Sequence, residues 1–595
     1  MAKLQKKFDT TCFLFETNKI DKENNKSYYF TDPIKILTLD SHKEMNDYFS
    51  KIQKLSKRYY IAGFLSYELG YLFEDIFRYK KHSGFPLAVF MVFNQPAVYD
   101  HIKKKYISHH FKYPKYSGYS LKDLHINLPK NQYINKVNKI KKHIQKGDIY
   151  QANYTLKYKF NFNGEPLDLY RDLKQKQSVG YNSFMRFGDC SIVSISPELF
   201  FYKNKKYIKV KPMKGTIKRG KNIQQDRNNM VFLSKDKKNR SENVMIVDLL
   251  RNDLSRISEY GSVKVPALFE VEKYETLFQM TSTIESELKR DISIYDIIKN
   301  IFPSGSVTGA PKIKSMQILK DIEKEERKAY CGGVGYFTPL GEAKFNVAIR
   351  TILIDKNEGE MGIGGGIVYD SDPESEYEEC KIKAKFLTME KPKEFKIIET
   401  LLYDKKFMDI DSHLNRMEDS AEYFNFKYNR DKIKTGLNKL RENLNHGKYK
   451  IRILLNKNGE IKIERARVKD TSKLMIIISN HKTDPEDVFL FHKTTNRNIY
   501  DKELEKARKK GFYDVIFFNK YNQLTEGAVT SIYIEKNGIK YTPKINCGLL
   551  NGTIRKKLIK EGKVEEKVLY LRDLKEAENI YISNSIIGFR KAQLK

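Results

Sequence analysis

The sequence predicts a multidomain protein of mixed α/β and α+β class, and three observations predict it. The chain has 595 residues, too many for a single hydrophobic core. Over its first two-thirds, strand-like apolar runs are mixed with helical stretches, so both element types are expected there. Near 390 the text changes: "MEKPKEFK" reads as a short polar, proline-containing linker, and a new strand, turn and helix pattern follows it. The expected domains are an N-terminal region 1–125, a main domain 126–390 and a second domain 395–595.

The elements follow in order. "PLAVFMVF" (86–93) is β-like and sits among lysine-rich helices or loops. From 131, "NQYINKVNKIKKHIQKGD" places Ile134, Val137, Ile140 and Ile144 near helical spacing and ends at Gly147. "SIVSIS" and "YIKVKPMKGT" read as strands, and "SENVMIVDLLRNDL" (241–254) as an apolar helix punctuated by acids. "SDPESEYEECKIKAKF" (371–386) opens with an N-cap candidate at Ser371 or Asp372, and Pro373 falls in the first turn, where its missing N–H costs little. Past the linker, "FKIIETLLYDKKFMDIDSHLNRMEDSAEYF" begins the second domain.

Composition bounds the function. With 40% apolar and 31% charged residues the chain reads as soluble and globular, and no apolar run reaches the roughly 18–20 residues that span a bilayer. The start, "MAKLQKKFDTTCFLFET", has too short an apolar run for a signal peptide. Five cysteines without a CxxC pair suit a reduced cytoplasm, not a disulfide or zinc scaffold. A net charge of +35 would fit a nucleic-acid-binding surface, but lysine is spread along the chain and no zinc-finger, RNP-type or helix-turn-helix pattern accompanies it. The charge reads as compositional bias that would draw anionic metabolites toward a cleft.

Several residues are candidates for chemistry. Glu376, Glu379 and Lys383 fall on one helix face, and Glu242 heads the other apolar helix. Carboxylates from two helices suit Mg2+, which takes one or two protein oxygens; a solvated charged face has the same spacing. Lys214, in "KPMKGTIKRG", is either a solvated loop residue or a positioned nucleophile. "GIGGGI" could suggest a dinucleotide loop, but Ile367 stands where the fingerprint needs its third glycine.

A longer series narrows these alternatives. "DIYQANYT", "SPELF", "PMKGT", "ENVMIVDLLRNDL", "PSGSVTGAPK", "YCGGVGYF", "FNVAIRT" and "GIGGGIVYDSDPESEYEE" occur in this order. The series resembles the chorismate-utilising family of anthranilate, aminodeoxychorismate, isochorismate and salicylate synthases over about 130–387, with 1–125 resembling it loosely. The resemblance implies a large α/β sandwich of stacked antiparallel sheets around a chorismate cleft. It implies Mg2+ held by Glu242 and Glu379 with Glu376 nearby, and a carboxylate site at Tyr330 and Arg350. The Gly364, Gly365 and Gly366 backbone and Lys383 match contacts to the ring carboxylate. Glu198 matches the acid that protonates the departing C4 hydroxyl.

Within that family, the motif around Lys214 carries alanine in anthranilate synthases and lysine in aminodeoxychorismate synthases. The resemblance makes Lys214 a nucleophile that attacks C2 as the C4 hydroxyl leaves, before ammonia enters at C4 and expels it. Such an amine must be neutral, through desolvation and nearby positive charge. Gln151 matches the glutamine of ammonia-using relatives, where water-using ones carry a lysine base. Gln279 stands where anthranilate synthases typically have histidine. No glutaminase elbow surrounds Cys331, so ammonia is expected from solution or from a separate glutamine amidotransferase subunit, as a heterodimer.

The second domain carries "SHLNRM", "HKTTNRNIYD", "NQLTEGAVTSIYI" and "LLNGTIRKKLI". Together they resemble the fold-type IV pyridoxal 5'-phosphate enzymes, the family of branched-chain aminotransferases and aminodeoxychorismate lyases. The resemblance makes Lys493 the cofactor-bearing, proton-moving lysine, Glu526 the partner of the pyridine nitrogen, and Arg416 with Thr553 the phosphate cradle. Ser531 replaces the usual asparagine, and Ile587 stands where many fused relatives have arginine. Fold type alone does not choose lyase over transaminase; the fusion does. The two resemblances imply a bifunctional synthase and lyase that converts chorismate to 4-aminobenzoate and pyruvate for folate synthesis. The alternatives are an anthranilate-type synthase fused to an aminotransferase, and a basic nucleic-acid-binding protein.

Overall fold

The computed structural model describes residues 11–77, 83–388, 394–468 and 473–595. Most of the expected linker, 389–393, lies outside the described residues. The chain divides into two compact units, Met1–Lys218 with Met230–Pro392, and Arg219–Asn229 with Lys393–Lys595.

Two large antiparallel sheets make up the first unit. In one, Gln151–Gly164 pairs with Glu358–Ile367, and the order continues through Thr351–Asp355, Cys190–Ser196 and Tyr181–Phe187 to Cys12–Glu16 and Lys26–Thr31. In the other, Met213–Lys218 pairs with Leu277–Glu287, and the order runs through Tyr207–Lys211, Leu199–Asn204, Glu342–Val347 and Gly333–Phe337 to Tyr60–Leu65, Ala88–Phe93 and Lys35–Leu39. Strands from 1–125 therefore sit inside both sheets beside strands from 126–390.

Side-chain alternation explains the layers. On Ala88–Phe93, Val89, Met91 and Phe93 enter a core shared with Phe13, Phe30, Met185 and Ile192 of the opposite sheet. Ala88, Phe90 and Val92 point the other way, into a core with helices Met45–Leu55, Lys237–Ile257 and Ile294–Ile301. Successive strand residues face opposite sides, so a strand buried on both faces must be apolar throughout, as "AVFMVF" is. The outer face of the first sheet is covered by Lys130–Gln145, Pro166–Lys176 and Pro373–Thr388. In the first of these, Tyr133, Val137 and Ile140 are buried; Ile134 and Ile144 sit at the margin. Pro373–Thr388 begins after Asp372, whose carboxylate accepts from the Ser375 N–H at 2.8 Å.

In the second unit, Ile397–Asp404, Tyr449–Leu455 and Ile461–Arg467 form an antiparallel sheet with the short Lys406–Phe407. Leu414, Met417 and Ala421 of helix Ile410–Phe424 and Ile433 and Leu437 of helix Arg430–Glu442 share its core with Leu401, Ile451 and Ile453. A mixed sheet follows, in which Met475–Thr483 pairs in parallel with both Asp514–Asn519 and Gly588–Leu594. Among the described residues no helix is long and apolar enough to cross a membrane.

Candidate active sites

In the first unit the site is built on glycines of strand Glu358–Ile367. A methyl group on Gly366 would stand 2.6 Å from the Gln151 Nε2 and 2.8 Å from the Lys214 Nζ; one on Gly365 would stand 3.0 Å from a Glu376 Oε2 and 3.8 Å from the Lys383 Nζ. One on Gly362 would meet the Tyr330 ring, and one on Gly364 would meet the Tyr154 carbonyl at 2.4 Å. The missing side chains are what let a lysine, a glutamine, a glutamate and a tyrosine close on one strand. Lys383 also donates to the Gly364 carbonyl at 2.7 Å.

Burial is the first cause that lowers the Lys214 amine below the ordinary lysine range; Glu242, Glu198 and Glu376 oppose it, and Lys383 adds to it. The residue as a whole is half-buried. Gln151 is fully buried, and neither of its amide atoms has a hydrogen-bond partner. Leaving such groups unpaired costs about 1–3 kcal/mol each, the sign of a position kept for a ligand. Glu198 is also buried; burial pushes its carboxyl up to about 7, against a 2.6 Å hydrogen bond donated by Ser306. Arg350 has φ 50° and donates to the Gln177 side chain. A separate cavity lined by Lys19, Lys209, Lys211, Lys344, Asp21 and Glu272 contains none of these residues.

The three expected metal carboxylates do not gather into one cluster; among the described residues no group of three such ligands does. Glu379 is exposed and pairs with Lys383, one helical turn away, at 2.8 Å. Glu376 accepts from the Ser371 hydroxyl at 2.7 Å, and burial first, then Glu379, raises its pKa. Glu242 and Glu376 both act on the Lys214 amine. Carboxylates from two helices are the oxygen-donor chemistry that Mg2+ takes, one or two protein oxygens at a time.

In the second unit, Ile398 donates from its N–H to the Lys493 carbonyl at 2.9 Å, which ties Lys493 to the strand carrying Glu399. Glu399 is fully buried and accepts from Arg416 Nε at 2.7 Å, from a second Arg416 nitrogen at 2.9 Å and from His413 Nδ1 at 2.7 Å. Arg416 also donates to the Asn551 carbonyl at 3.3 Å, beside Gly552 and the helix Thr553–Lys560. Burial pushes the Lys493 amine down to about 8, with Arg416 adding to it, and the buried Glu526 carboxyl up to about 8. Tyr500 donates to Glu526 at 3.2 Å. The Thr553 and Ser585 hydroxyls are 3.2 Å apart, and Ser531 lies where a methyl on Gly552 would meet its Oγ at 2.8 Å. A guanidinium, hydroxyls and a helix N-terminus beside a desolvated lysine fit a phosphorylated aldehyde cofactor.

The profile of the chorismate binding enzyme family matches residues 10–389. The chain belongs to that family. Its second half carries an amino-transferase class IV domain, matched over residues 396–593. Aminodeoxychorismate synthase, chloroplastic, of Arabidopsis thaliana is 41% identical over 260 residues, which is 43% of this chain and 28% of that protein. Aminodeoxychorismate synthase component 1 of Escherichia coli (strain K12) is 36% identical over 257 residues, 43% of this chain and 57% of that one. The solved anthranilate synthase component I from Streptococcus pneumoniae TIGR4 superposes with a TM-score of 0.55 at 25% identity, covering 62% of this chain and 94% of its own. The chain thus spans little more than half of these curated relatives at most.

For a chorismate binding enzyme, the structure brings Gln151, Lys214, Glu376 and Lys383 from other elements against Gly364, Gly365 and Gly366 of strand Glu358–Ile367, with Glu198 and Glu242 acting on the Lys214 amine. The Tyr330 ring packs at Gly362 of the same strand, and Arg350 donates to the Gln177 side chain. Sequence reasoning missed Gln177, Ser306, Glu399, His413 and Tyr500. Glu399 alone left a signal: a lone acid inside the apolar run "KIIETLL" must find partners if buried.

Proposed function

We propose that the first unit aminates chorismate at C4 and that the second releases pyruvate from the product to leave 4-aminobenzoate. The observation that carries this reading is the desolvated Lys214 amine beside the unpartnered Gln151 amide over Gly366. A neutral amine there attacks ring C2 while Glu198, protonated up to about pH 7, delivers a proton to the departing C4 hydroxyl. Ammonia, positioned by Gln151, then forms the C4–N bond, and the Lys214 nitrogen leaves C2. Lys383 and the glycine backbone hold the ring carboxylate, and Arg350 with Tyr330 the enolpyruvyl carboxylate. Mg2+, held by Glu242 with Glu376 or Glu379, would neutralise the ring carboxylate.

In the second unit pyridoxal 5'-phosphate would supply an electron sink for the aminated substrate. Arg416, Thr553 and the turn at Gly552 would hold its phosphate, and Glu526 would face its ring nitrogen. Lys493, its amine pushed down to about 8 by burial, would carry the cofactor and would take the C4 proton, so that the enolpyruvyl oxygen could depart and the ring aromatise.

Ammonia is proposed to come from a separate glutamine-hydrolysing subunit. Burial raises the thiols of Cys12, Cys190, Cys331, Cys380 and Cys547, which disfavours the thiolate a glutaminase needs. A cytoplasmic setting fits this chemistry. Incubation of the chain with chorismate, Mg2+, pyridoxal 5'-phosphate and an ammonium salt tests the reading: 4-aminobenzoate with one pyruvate supports it, and anthranilate overturns it.

A further inference from the structure

The strand that carries Lys214 is broken at that residue. Met213–Lys218 pairs with Leu277–Glu287 through Met213 and Thr281, then through Thr216 and Gln279. Between these pairs one strand holds Lys214 and Gly215 and the other only Met280, so Lys214 and Gly215 form a β-bulge. Gly215 has φ 90°, which favours glycine, and a methyl there would also meet the Asn239 Oδ1 at 2.9 Å.

A bulge frees backbone groups from the ladder, and here side-chain amides take them. Gln279 Nε2 donates to the Gly215 carbonyl at 3.0 Å, while its Oε1 accepts from the Thr216 hydroxyl at 3.0 Å. The buried Asn243 donates to the Lys214 carbonyl at 3.5 Å, the long end of a hydrogen bond, and is itself held by the Ser282 hydroxyl at 2.5 Å. Neither amide is drawn toward Gly366, where the Lys214 amine ends.

We infer that Gln279 is a positioning residue: it clips the Gly215 carbonyl, fixes the bulge and so aims the Lys214 amine. The inference rests on the proposed role of Lys214 as nucleophile. A misplacement near 1 Å costs on the order of a hundredfold in rate, while substrate recognition lies with other residues.

The test is steady-state amination, followed as chorismate consumption in the full chain with Mg2+ and ammonium, in wild type, Gln279→Ala, Gln279→Glu and Lys214→Ala. Gln279→Glu keeps the volume and the bond from Thr216 but loses the donor to Gly215. Both Gln279 variants are expected to lose roughly tenfold to a hundredfold in kcat. KM for chorismate should stay within about twofold, since positioning acts on the transition state alone. The rising limb of the pH profile should shift, because Lys214 no longer sits in its desolvated place. Gln279→Glu at wild-type kcat and pH profile overturns the inference, as does a KM that rises in proportion to the loss of kcat. If Gln279→Ala does not fold, Gln279→Glu decides alone, and unfolding of both overturns it by making the clip a folding element. Lys214→Ala separates the two ideas: full activity there removes the nucleophile reading itself, whatever Gln279 does.

Discussion

Gln151 and Lys214 reach the same point of the fold from different sheets: the Gln151 Nε2 and the Lys214 Nζ both come within 3 Å of where a Gly366 side chain would begin. Both contacts are to the ends of side chains, so a methyl group there can be accommodated by moving them. Gly366→Ala is expected to fold with an unchanged melting temperature and to lose about a hundredfold in amination rate, since an ångström of displacement is enough for that. Wild-type turnover by Gly366→Ala would show that the two groups do not act there.

How much of this was legible in the sequence differs by residue. The glycine run, "SPELF" and "PMKGT" are local signatures, so Glu198, Lys214 and Gly364 could be named before any fold was known. The contacts that hold them are not local. Gln177 reaches Arg350 from the end of a distant helix and Gln279 reaches Gly215 across a strand pairing, and a half-buried glutamine carries no periodicity to betray it. The resemblance implied Mg2+ on Glu242 and Glu379 with Glu376 nearby; the helical spacing that puts Glu376 and Glu379 on one face also puts Lys383 one turn from Glu379, and the ion pair forms. Arg219–Asn229 belongs to the second unit although it lies deep within the first in sequence. No composition shift marks it, since its anchors are an Arg219–Asp226 pair at 2.5 Å and a Tyr423 hydroxyl on the Gly220 carbonyl.

The proposed acid, Glu198, is expected to set the falling side of the pH profile. Its carboxyl is pushed up to about 7 by burial, so the protonated form that can donate is lost as pH rises through that value. Amination measured with saturating ammonium should decline above about pH 7. Glu198→Gln should lower the rate roughly 10²–10⁴-fold, the range for a general acid, and flatten that decline. A variant that keeps both the rate and the decline would take Glu198 out of the reaction.

The proposed nucleophile, Lys214, is expected to govern the rising side. Its amine is held below the ordinary lysine range, chiefly by burial, so its neutral form gains as pH rises and does so earlier than for a free lysine. Site-selective acylation of Lys214, read by mass spectrometry against exposed lysines, should proceed at lower pH than theirs. Reaction only in step with the exposed lysines would contradict a desolvated nucleophile.

Glu399 links cofactor binding to acid stability. Arg416 and His413 hold its carboxyl down to about 2, below the roughly 4.3 of an unfolded glutamate. A depressed carboxylate stabilises the fold above the unfolded value, and that stabilisation fades as pH falls from about 4 toward 2. Its size is about 3 kcal/mol. Glu399→Gln should remove this acid transition from the second unit and weaken pyridoxal 5'-phosphate binding, followed by visible absorbance, because Arg416 loses its fork. Unchanged affinity for the cofactor would detach Glu399 from the phosphate site.

Two separate sites are proposed to act in sequence on one substrate, and chorismate consumption by the Lys493→Ala protein tests that division of labour. Lys214 and Lys493 belong to different compact units, and independent sites behave additively. Supplied with chorismate, Mg2+ and ammonium, Lys493→Ala should lose the cofactor's visible absorbance and release no pyruvate, yet consume chorismate at the wild-type rate and accumulate 4-amino-4-deoxychorismate. Accumulation of anthranilate, or loss of chorismate consumption in a folded Lys493→Ala protein, would contradict it.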